Sequence, residues 1–219
     1  MNVYELTNEI ISWNDFFNSI KEILTSIKIN PDNICPNIDN IFRIFKEIPP
    51  LNIKICIFGQ DPYPDYMMAN GIAFSTPKGI KKIPPSLRNI LKAIENQGFT
   101  VDRICNGDLS CLVSQGVFLC NAALTCEKGK SLSHISMWSK FTKELIMYLN
   151  RVNPNIIYIL WGKVIYNNII HLLNNTELVI KNTHPSPLAG KKFILQNDFL
   201  KANELLLSIN KTPINWSIQ

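Results

Sequence analysis

A short loop near residue 60 carries several side chains of the kinds that enzymes use to bind and cleave substrates. The apolar run 53–58 is typical of a buried strand, and it leads directly into Gly59-Gln60-Asp61-Pro62-Tyr63-Pro64. In an open α/β sheet, ligands bind at the carboxyl ends of the strands. The two prolines stiffen the backbone, so the amide, the carboxylate and the ring are held in fixed directions. Taken alone, the hexapeptide is equally consistent with an ordinary Pro-rich turn.

A second loop of the same kind lies near the other end of the chain. The β-like run 178–181 leads to His184-Pro185-Ser186-Pro187-Leu188-Ala189-Gly190, which has an imidazole at its start and a leucine at its tip. A lone histidine is more often structural than catalytic, and an exposed leucine is common. Two proline-braced loops, each with a polar group just beyond a strand, together indicate a catalytic site.

An ordered set of motifs resembles family 1 uracil-DNA glycosylases. The two loops match the family, and further matches cover residues 71–75, 84–87, 115–125, 160–162 and 212–216, in the family's order and at similar separations. The resemblance implies an enzyme that flips uracil out of single- or double-stranded DNA. It would hydrolyse the N-glycosidic bond, release free uracil and leave an abasic site, as in base excision repair, without a metal or cofactor.

The resemblance assigns the chemical step to two side chains. Asp61, ionised, would stabilise the sugar cation and position or deprotonate the attacking water. His184 would donate a hydrogen bond to the carbonyl oxygen of the departing uracil and so stabilise its developing negative charge. The alternatives are an aspartate that caps a turn and a histidine that is satisfied within its loop.

The same resemblance assigns recognition of the base to four residues. Phe74 would stack on uracil, although without the resemblance it is more consistent with a residue that packs in the core. Asn121 would recognise the adjacent N–H and C=O groups of the base. Asn121 alone is also consistent with a turn or cap. Gln60 would add a polar contact. Tyr63 would exclude thymine, because a rigid ring in the place of the extra methyl group rejects it by steric clash.

Contacts with the DNA backbone and stack are expected from a further set of residues. Leu188 is suited to fill the space left by the flipped nucleotide. Phosphates would be held by hydroxyls, backbone N–H groups and a helix start, at Pro84, Pro85, Ser86, Gly162, Lys163 and Ser186.

Three positions depart from the family pattern. Pro64 stands where the family usually has histidine, Ala189 where it usually has serine, and residues 191–195 lack the usual Gly-Phe-Phe. A proline at position 64 also resembles the poxvirus branch, whose members serve as polymerase processivity partners. The alternative function is therefore a DNA-binding accessory or processivity subunit that keeps the glycosylase fold and has a replication protein as its partner.

Composition favours one globular domain, 1–219, with an N-terminal helical part, 1–50. The 219 residues are 46% hydrophobic and 18% charged, with a net charge of +5 that is compatible with a polyanionic partner. The start of the chain does not resemble a signal peptide, and no apolar run is long enough to span a bilayer. We therefore expect a monomer that is intracellular, cytoplasmic (or nuclear in a eukaryotic or viral setting) and not secreted. The cysteines should be reduced: Cys35, Cys56, Cys105, Cys111, Cys120 and Cys126.

The pattern of apolar residues predicts the elements that hold these loops. Two N-terminal helices, 14–27 and 38–45, precede an alternation of strands and helices. The predicted strands are 53–58, 117–120, 156–160 and 178–181, and the helices are 86–96, 136–150, 163–173 and 197–209. The alternation predicts an α/β fold: a central four-stranded parallel twisted sheet with helices on both faces.

Overall fold

Four short apolar strands form the parallel sheet at the centre of the protein. The computed structural model describes residues 2–102 and 107–218, so Cys105 lies outside the described residues. The strands are β2 (Ile55–Gly59), β3 (Val117–Asn121), β5 (Ile157–Trp161) and β6 (Val179–Asn182), in the order β3-β2-β5-β6 and all parallel. Each of the first three is buried throughout, as expected of strands covered on both faces. The predicted four-stranded sheet is confirmed.

Each strand ends one residue later than predicted, because the strand pairing continues one residue past the predicted end. Gly59 pairs with Asn121, and Trp161 pairs with Asn182, at the carboxyl edge of the sheet. Side chains that follow β2, β3 and β6 are therefore brought to the same edge.

The long helices flank the sheet close to their predicted positions. They are α4 (Pro85–Asn96), α6 (Ile135–Val152), α7 (Lys163–Ile169) and α9 (Asp198–Ser208). The predicted helix 163–173 is shorter in its α part, since a 3₁₀ turn, Ile170–Leu172, replaces its last residues. No helix within the described ranges has the length and apolar character required to cross a membrane.

The N-terminal helices are more broken than the sequence predicts. The predicted helix 14–27 is two helices, α1 (Asn14–Ser19) and α2 (Lys21–Ser26), because Ile20 leaves helical geometry with φ −113° and ψ 17°. The predicted helix 38–45 is a 3₁₀ turn, Ile38–Asn40, followed by α3 (Arg43–Glu47). Further 3₁₀ turns are Val3–Thr7, Ile11–Trp13, Pro31–Asn33 and Pro50–Asn52.

An aromatic cluster joins this N-terminal part to the sheet. Trp13 stacks on Phe118 of β3 with ring centroids 5.6 Å apart, and Phe45 meets the same ring edge-on at 5.3 Å. The Trp13 indole N–H donates to the Ile48 carbonyl at 2.9 Å, so this buried polar group is satisfied. The N-terminal helices and the sheet therefore share one hydrophobic core.

Four short elements were not predicted. Strands β1 (Ile34–Cys35) and β4 (Cys126–Glu127) pair antiparallel, α5 covers Ser110–Val113, and α8 covers Gly190–Ile194. Such two- to five-residue segments carry too few apolar positions to show a period. The five cysteines in the described part of the chain are free thiols: Cys35, Cys56, Cys111, Cys120 and Cys126.

Candidate active site

A cavity of about 140 Å³ opens at the carboxyl edge of the sheet. It lies where β2, β3 and β6 end, the edge at which ligands bind in open α/β sheets. Both residues predicted for the chemical step and all four predicted for base recognition line it: Gln60, Asp61, Tyr63, Phe74, Asn121 and His184. Residues far apart in the sequence are therefore placed around one small space.

The loop after β2 is held by hydrogen bonds from neighbouring segments. Ala123 N–H donates to the Gln60 carbonyl at 2.9 Å, and Gly129 N–H donates to the Pro64 carbonyl at 2.7 Å. The Cys126 thiol of β4 donates to the Pro62 carbonyl at 3.4 Å, so the unpredicted two-stranded sheet of β1 and β4 contacts this loop. These bonds, together with the two prolines, fix the direction of the loop's side chains.

A glycine at the end of β2 makes room for Asn121. A Cβ atom on Gly59 would overlap the Asn121 Oδ1 atom and come within 3.2 Å of the Ala73 Cβ. Asn121 itself is only 8% exposed. Within residues 2–102 and 107–218, no group hydrogen-bonds to its side-chain amide. Buried amides are normally hydrogen-bonded. The Asn121 amide has no such partner and lines the cavity, so it is available to a ligand.

Among the residues that the structure describes, one backbone N–H donates a hydrogen bond to the Asp61 carboxylate. Leu132 N–H lies 2.6 Å from Oδ2 of Asp61, and Leu132 adopts a left-handed backbone with φ +64°. Burial raises the pKa of Asp61 above its usual 3.8, whereas the Leu132 N–H opposes the rise by stabilising the charged form. Leu132 was not predicted as a site residue, because its contribution comes from the backbone and leaves no signal in the side chain.

The protonation of His184 is set by its own loop. Its Nδ1 accepts a hydrogen bond from Ser186 N–H at 3.1 Å, so the neutral imidazole carries its proton on Nε2. Burial lowers the pKa of His184 below its usual 6.5, which makes the neutral form dominant at pH 7. His184 is therefore a neutral hydrogen-bond donor at the edge of the cavity.

Gly162, predicted as a phosphate contact, lies directly against His184. It is buried with φ +92°, and a Cβ atom on it would lie 3.0 Å from the His184 Cβ. Its N–H donates to the Asn182 carbonyl at 2.8 Å and is used within the fold. Gly162 thus makes room for His184, whereas Lys163, the first residue of α7, is exposed, and the phosphate contacts of both residues stay predictions.

Tyr63 and Phe74 both line the cavity and are joined by a hydrogen bond. The Tyr63 hydroxyl donates to the Phe74 carbonyl at 2.7 Å, and burial raises the pKa of Tyr63 well above its usual range. Phe74 has φ +65°, and its ring meets Trp161 edge-on at 5.5 Å. A positive φ on a bulky residue is uncommon and costs energy, so the surrounding contacts hold this ring in place.

The other residues predicted to contact DNA lie within a few residues of the cavity lining in the sequence. Ser86 lines the cavity, Pro84 is buried just before α4, and Pro85 is exposed as its first residue. Ser186 is half-buried, and Leu188 is fully exposed at the tip of its loop.

The altered segment after the leucine loop still supplies a buried ring. Residues 190–194 form α8, and Phe193 packs edge-on against Trp161 with centroids 5.1 Å apart. Ala189 donates its N–H to the Ser186 carbonyl at 3.1 Å, which closes the leucine loop without a side-chain hydroxyl.

Comparison with known proteins gives the family to which this fold and cavity belong. The profile of the Uracil DNA glycosylase superfamily matches residues 45–207. The uracil-DNA glycosylase of Campylobacter jejuni (strain RM1221) is 41% identical over 186 residues, which cover 84% of this chain and 80% of that protein. The uracil-DNA glycosylase of Blochmanniella floridana is 39% identical over 208 residues, covering 93% and 92%.

A solved structure agrees with these relatives. The crystal structure of mimivirus uracil-DNA glycosylase superposes with a TM-score of 0.87 at 27% identity, covering 100% of this chain and 90% of that one. The chain belongs to the uracil DNA glycosylase superfamily. The predicted enzyme class is confirmed: the protein is a glycosidase that removes uracil from DNA.

Proposed function

We propose that this glycosylase is a family 1 enzyme that flips uracil from single- or double-stranded DNA into the cavity beside Asn121. The observation that carries the proposal is the pairing of a carboxylate and a neutral imidazole donor around one base-sized space. A base inside a duplex is out of reach of these groups, so the nucleotide has to leave the stack first.

Recognition of uracil rests on the unpartnered Asn121 amide. Its carbonyl accepts from the N–H of the base, and its NH₂ donates to the neighbouring C=O. Because the amide is buried, a base that cannot pair with it leaves polar groups unsatisfied, which costs about 1–3 kcal/mol. Phe74 provides the stacking face, and Gln60 adds a polar contact at the same wall.

Exclusion of thymine rests on the rigidity of Tyr63. The ring is fixed at one end by the proline-flanked loop and at the other by its hydroxyl bond to Phe74. A pocket that merely attracts a base distinguishes one methyl group weakly, whereas a wall that cannot move rejects it by overlap.

The chemical step breaks the bond between the sugar C1′ and the base nitrogen. The bonding electrons leave with uracil, so the base becomes an anion and the sugar becomes cationic. His184 Nε2–H donates a hydrogen bond to the uracil carbonyl oxygen as its negative charge grows. The Asp61 carboxylate stabilises the sugar cation and accepts a proton from the water that attacks C1′. The products are free uracil and an abasic site.

Leu188 and the serines at the mouth act on the DNA around the flipped nucleotide. The exposed leucine enters the space that the nucleotide leaves. Ser86 lines the cavity and Ser186 follows His184, and both would contact phosphates through their hydroxyls. Ser86 would also offer its backbone N–H in the first turn of α4, whereas the Ser186 N–H is used to bond His184. The complete set of pocket groups favours the enzyme over an accessory subunit, and the monomeric state and intracellular location stay predictions from the sequence.

The test is release of free uracil from single- and double-stranded oligonucleotides that contain one uracil, with EDTA present throughout. We expect uracil and an abasic strand from both substrates, at rates that EDTA does not change. Release from neither substrate would contradict the proposal. Loss of activity in EDTA would contradict the metal-free mechanism.

A further inference from the structure

The net positive charge of the chain is concentrated in two segments that each contribute residues to the lining of the cavity. Residues 66–94 contain no Asp or Glu, and neither do residues 178–197. Together they contain eight basic residues and so carry +8, whereas the whole chain carries +5 and the remaining residues therefore sum to −3. The eight are Lys78, Lys81, Lys82, Arg88, Lys92, Lys181, Lys191 and Lys192.

A groove of about 420 Å³ lies where these two segments meet, between α4 and α8. Its lining includes three of the eight cations, two prolines from the loops beside the cavity and one exposed leucine: Arg88, Lys92, Lys191, Pro85, Pro187 and Leu195. Arg88 and Lys92 are one helical turn apart on α4 and thus share a face.

The walls of the groove are tied together. The Asn89 side-chain N–H donates to the Pro185 carbonyl at 2.8 Å, and that of Asn96 donates to the Ile194 carbonyl at 3.2 Å. Gly190 lies so close to Asn89 that a Cβ atom on it would come within 2.6 Å of the Nδ2 atom. The spacing between α4 and α8 is therefore fixed.

The three cations have no carboxylate partner in the described part of the chain. None of the three takes part in the ion pairs that join Arg43 to Glu47 and Lys130 to Glu127. Arg88 donates one N–H to the Ile83 carbonyl at 3.2 Å, and its other donors are left for a ligand. Cations placed together without counter-charges repel one another, and an anionic ligand relieves that repulsion.

We infer that this groove binds backbone phosphates of the substrate DNA beyond the flipped nucleotide. The inference rests on the proposed function. Pro85 adjoins Ser86 and Pro187 adjoins Leu188, so the groove continues from the cavity mouth past the residue that enters the stack. A phosphate backbone that leaves the mouth on this side meets Arg88, Lys92 and Lys191 in turn, and each contact releases counterions from the DNA.

The experiment compares a groove variant, R88Q/K92Q/K191Q, with a charge-matched control, K21Q/K28Q/K46Q, in the N-terminal helical part. The measurement is the dissociation constant for a duplex without uracil, by fluorescence anisotropy, as a function of salt. Three lost phosphate contacts flatten the slope of log K against log salt by about 2.7. Between 50 and 200 mM salt, the wild type should therefore lose about 40-fold more affinity than the groove variant. The control should keep the wild-type slope.

Substrate length gives the second readout. The groove variant should lose more activity on a duplex of about 30 base pairs than on a uracil trinucleotide, whose internucleotide phosphates are too few to flank the flipped nucleotide and also fill the groove. Equal slopes for groove and control variants, or equal losses on long and short substrates, would overturn the inference. Because the anisotropy measurement needs no uracil release, it tests the groove even if the proposed catalysis fails.

Discussion

The hydrogen bond from Leu132 to Asp61 allows the carboxylate to be perturbed without being replaced. Incorporation of the 2-hydroxy analogue of leucine at position 132 turns the amide between Ser131 and Leu132 into an ester. This change deletes the N–H that lies 2.6 Å from Asp61 Oδ2 and keeps every side chain.

The size of the effect follows from the charge on the acceptor. A hydrogen bond to a charged group contributes about 1.5–3 kcal/mol. Its loss favours the protonated carboxyl, so the pKa of Asp61, already raised by burial, rises further. Because the proposed mechanism needs ionised Asp61, activity disappears as pH falls through that pKa, and the acid limb of the pH profile moves to higher pH. On that limb, the ester enzyme should be about 10- to 150-fold slower than wild type.

The assay is uracil release from single-stranded DNA between about pH 4 and about pH 9, analysed as kcat/KM. The matched control is Leu132→Gly, which keeps the N–H and adopts a positive φ without the cost that leucine bears. It should show the wild-type acid limb and unfold at no lower denaturant concentration. An ester enzyme with the wild-type limb would refute the claim that this N–H sets the ionisation of the catalytic carboxylate.

Three further predictions concern the pocket and the loop. Tyr63→Ala should release thymine as well as uracil because the methyl clash is gone, while Tyr63→Phe loses only the bond to Phe74 and keeps the ring in its proline-flanked loop, so it should release far less thymine than Tyr63→Ala; mass analysis of the released bases distinguishes them. Asn121→Asp should shift preference toward cytosine, whose amino group needs an acceptor, and unchanged uracil specificity would refute the assigned edge recognition. Leu188→Ala should lower activity on duplex DNA more than on single strands, and an equal loss on both would mean that the leucine only packs its loop.

The sequence predicted the sheet and the pocket for the same physical reason. Buried parallel strands require continuous apolar runs, and the polar residues that follow them must lie at one edge. Asp61, Asn121 and His184 each come just after such a run, so their meeting in one cavity followed from the pattern and the family motifs.

The pattern of residues along the sequence could not predict local backbone geometry. The break at Ile20 lies in a stripe of apolar residues that is periodic on both sides of it. The Leu132 N–H that meets Asp61 depends on a positive φ at a residue type that rarely adopts one. The N–H of Gly162 looked available at a helix start but is used to bond Asn182, a contact made only when β5 and β6 are paired.

The central claim is that Asp61 and His184 stabilise charges that exist only during bond cleavage. The most direct test measures single-turnover uracil release and DNA affinity together for wild type, Asp61→Asn and His184→Ala. We predict that each variant cleaves about 100- to 1,000-fold more slowly and binds uracil-containing DNA with an affinity close to that of wild type. Near-normal cleavage in either variant, or a loss of binding that accounts for the whole loss of rate, would contradict the mechanism.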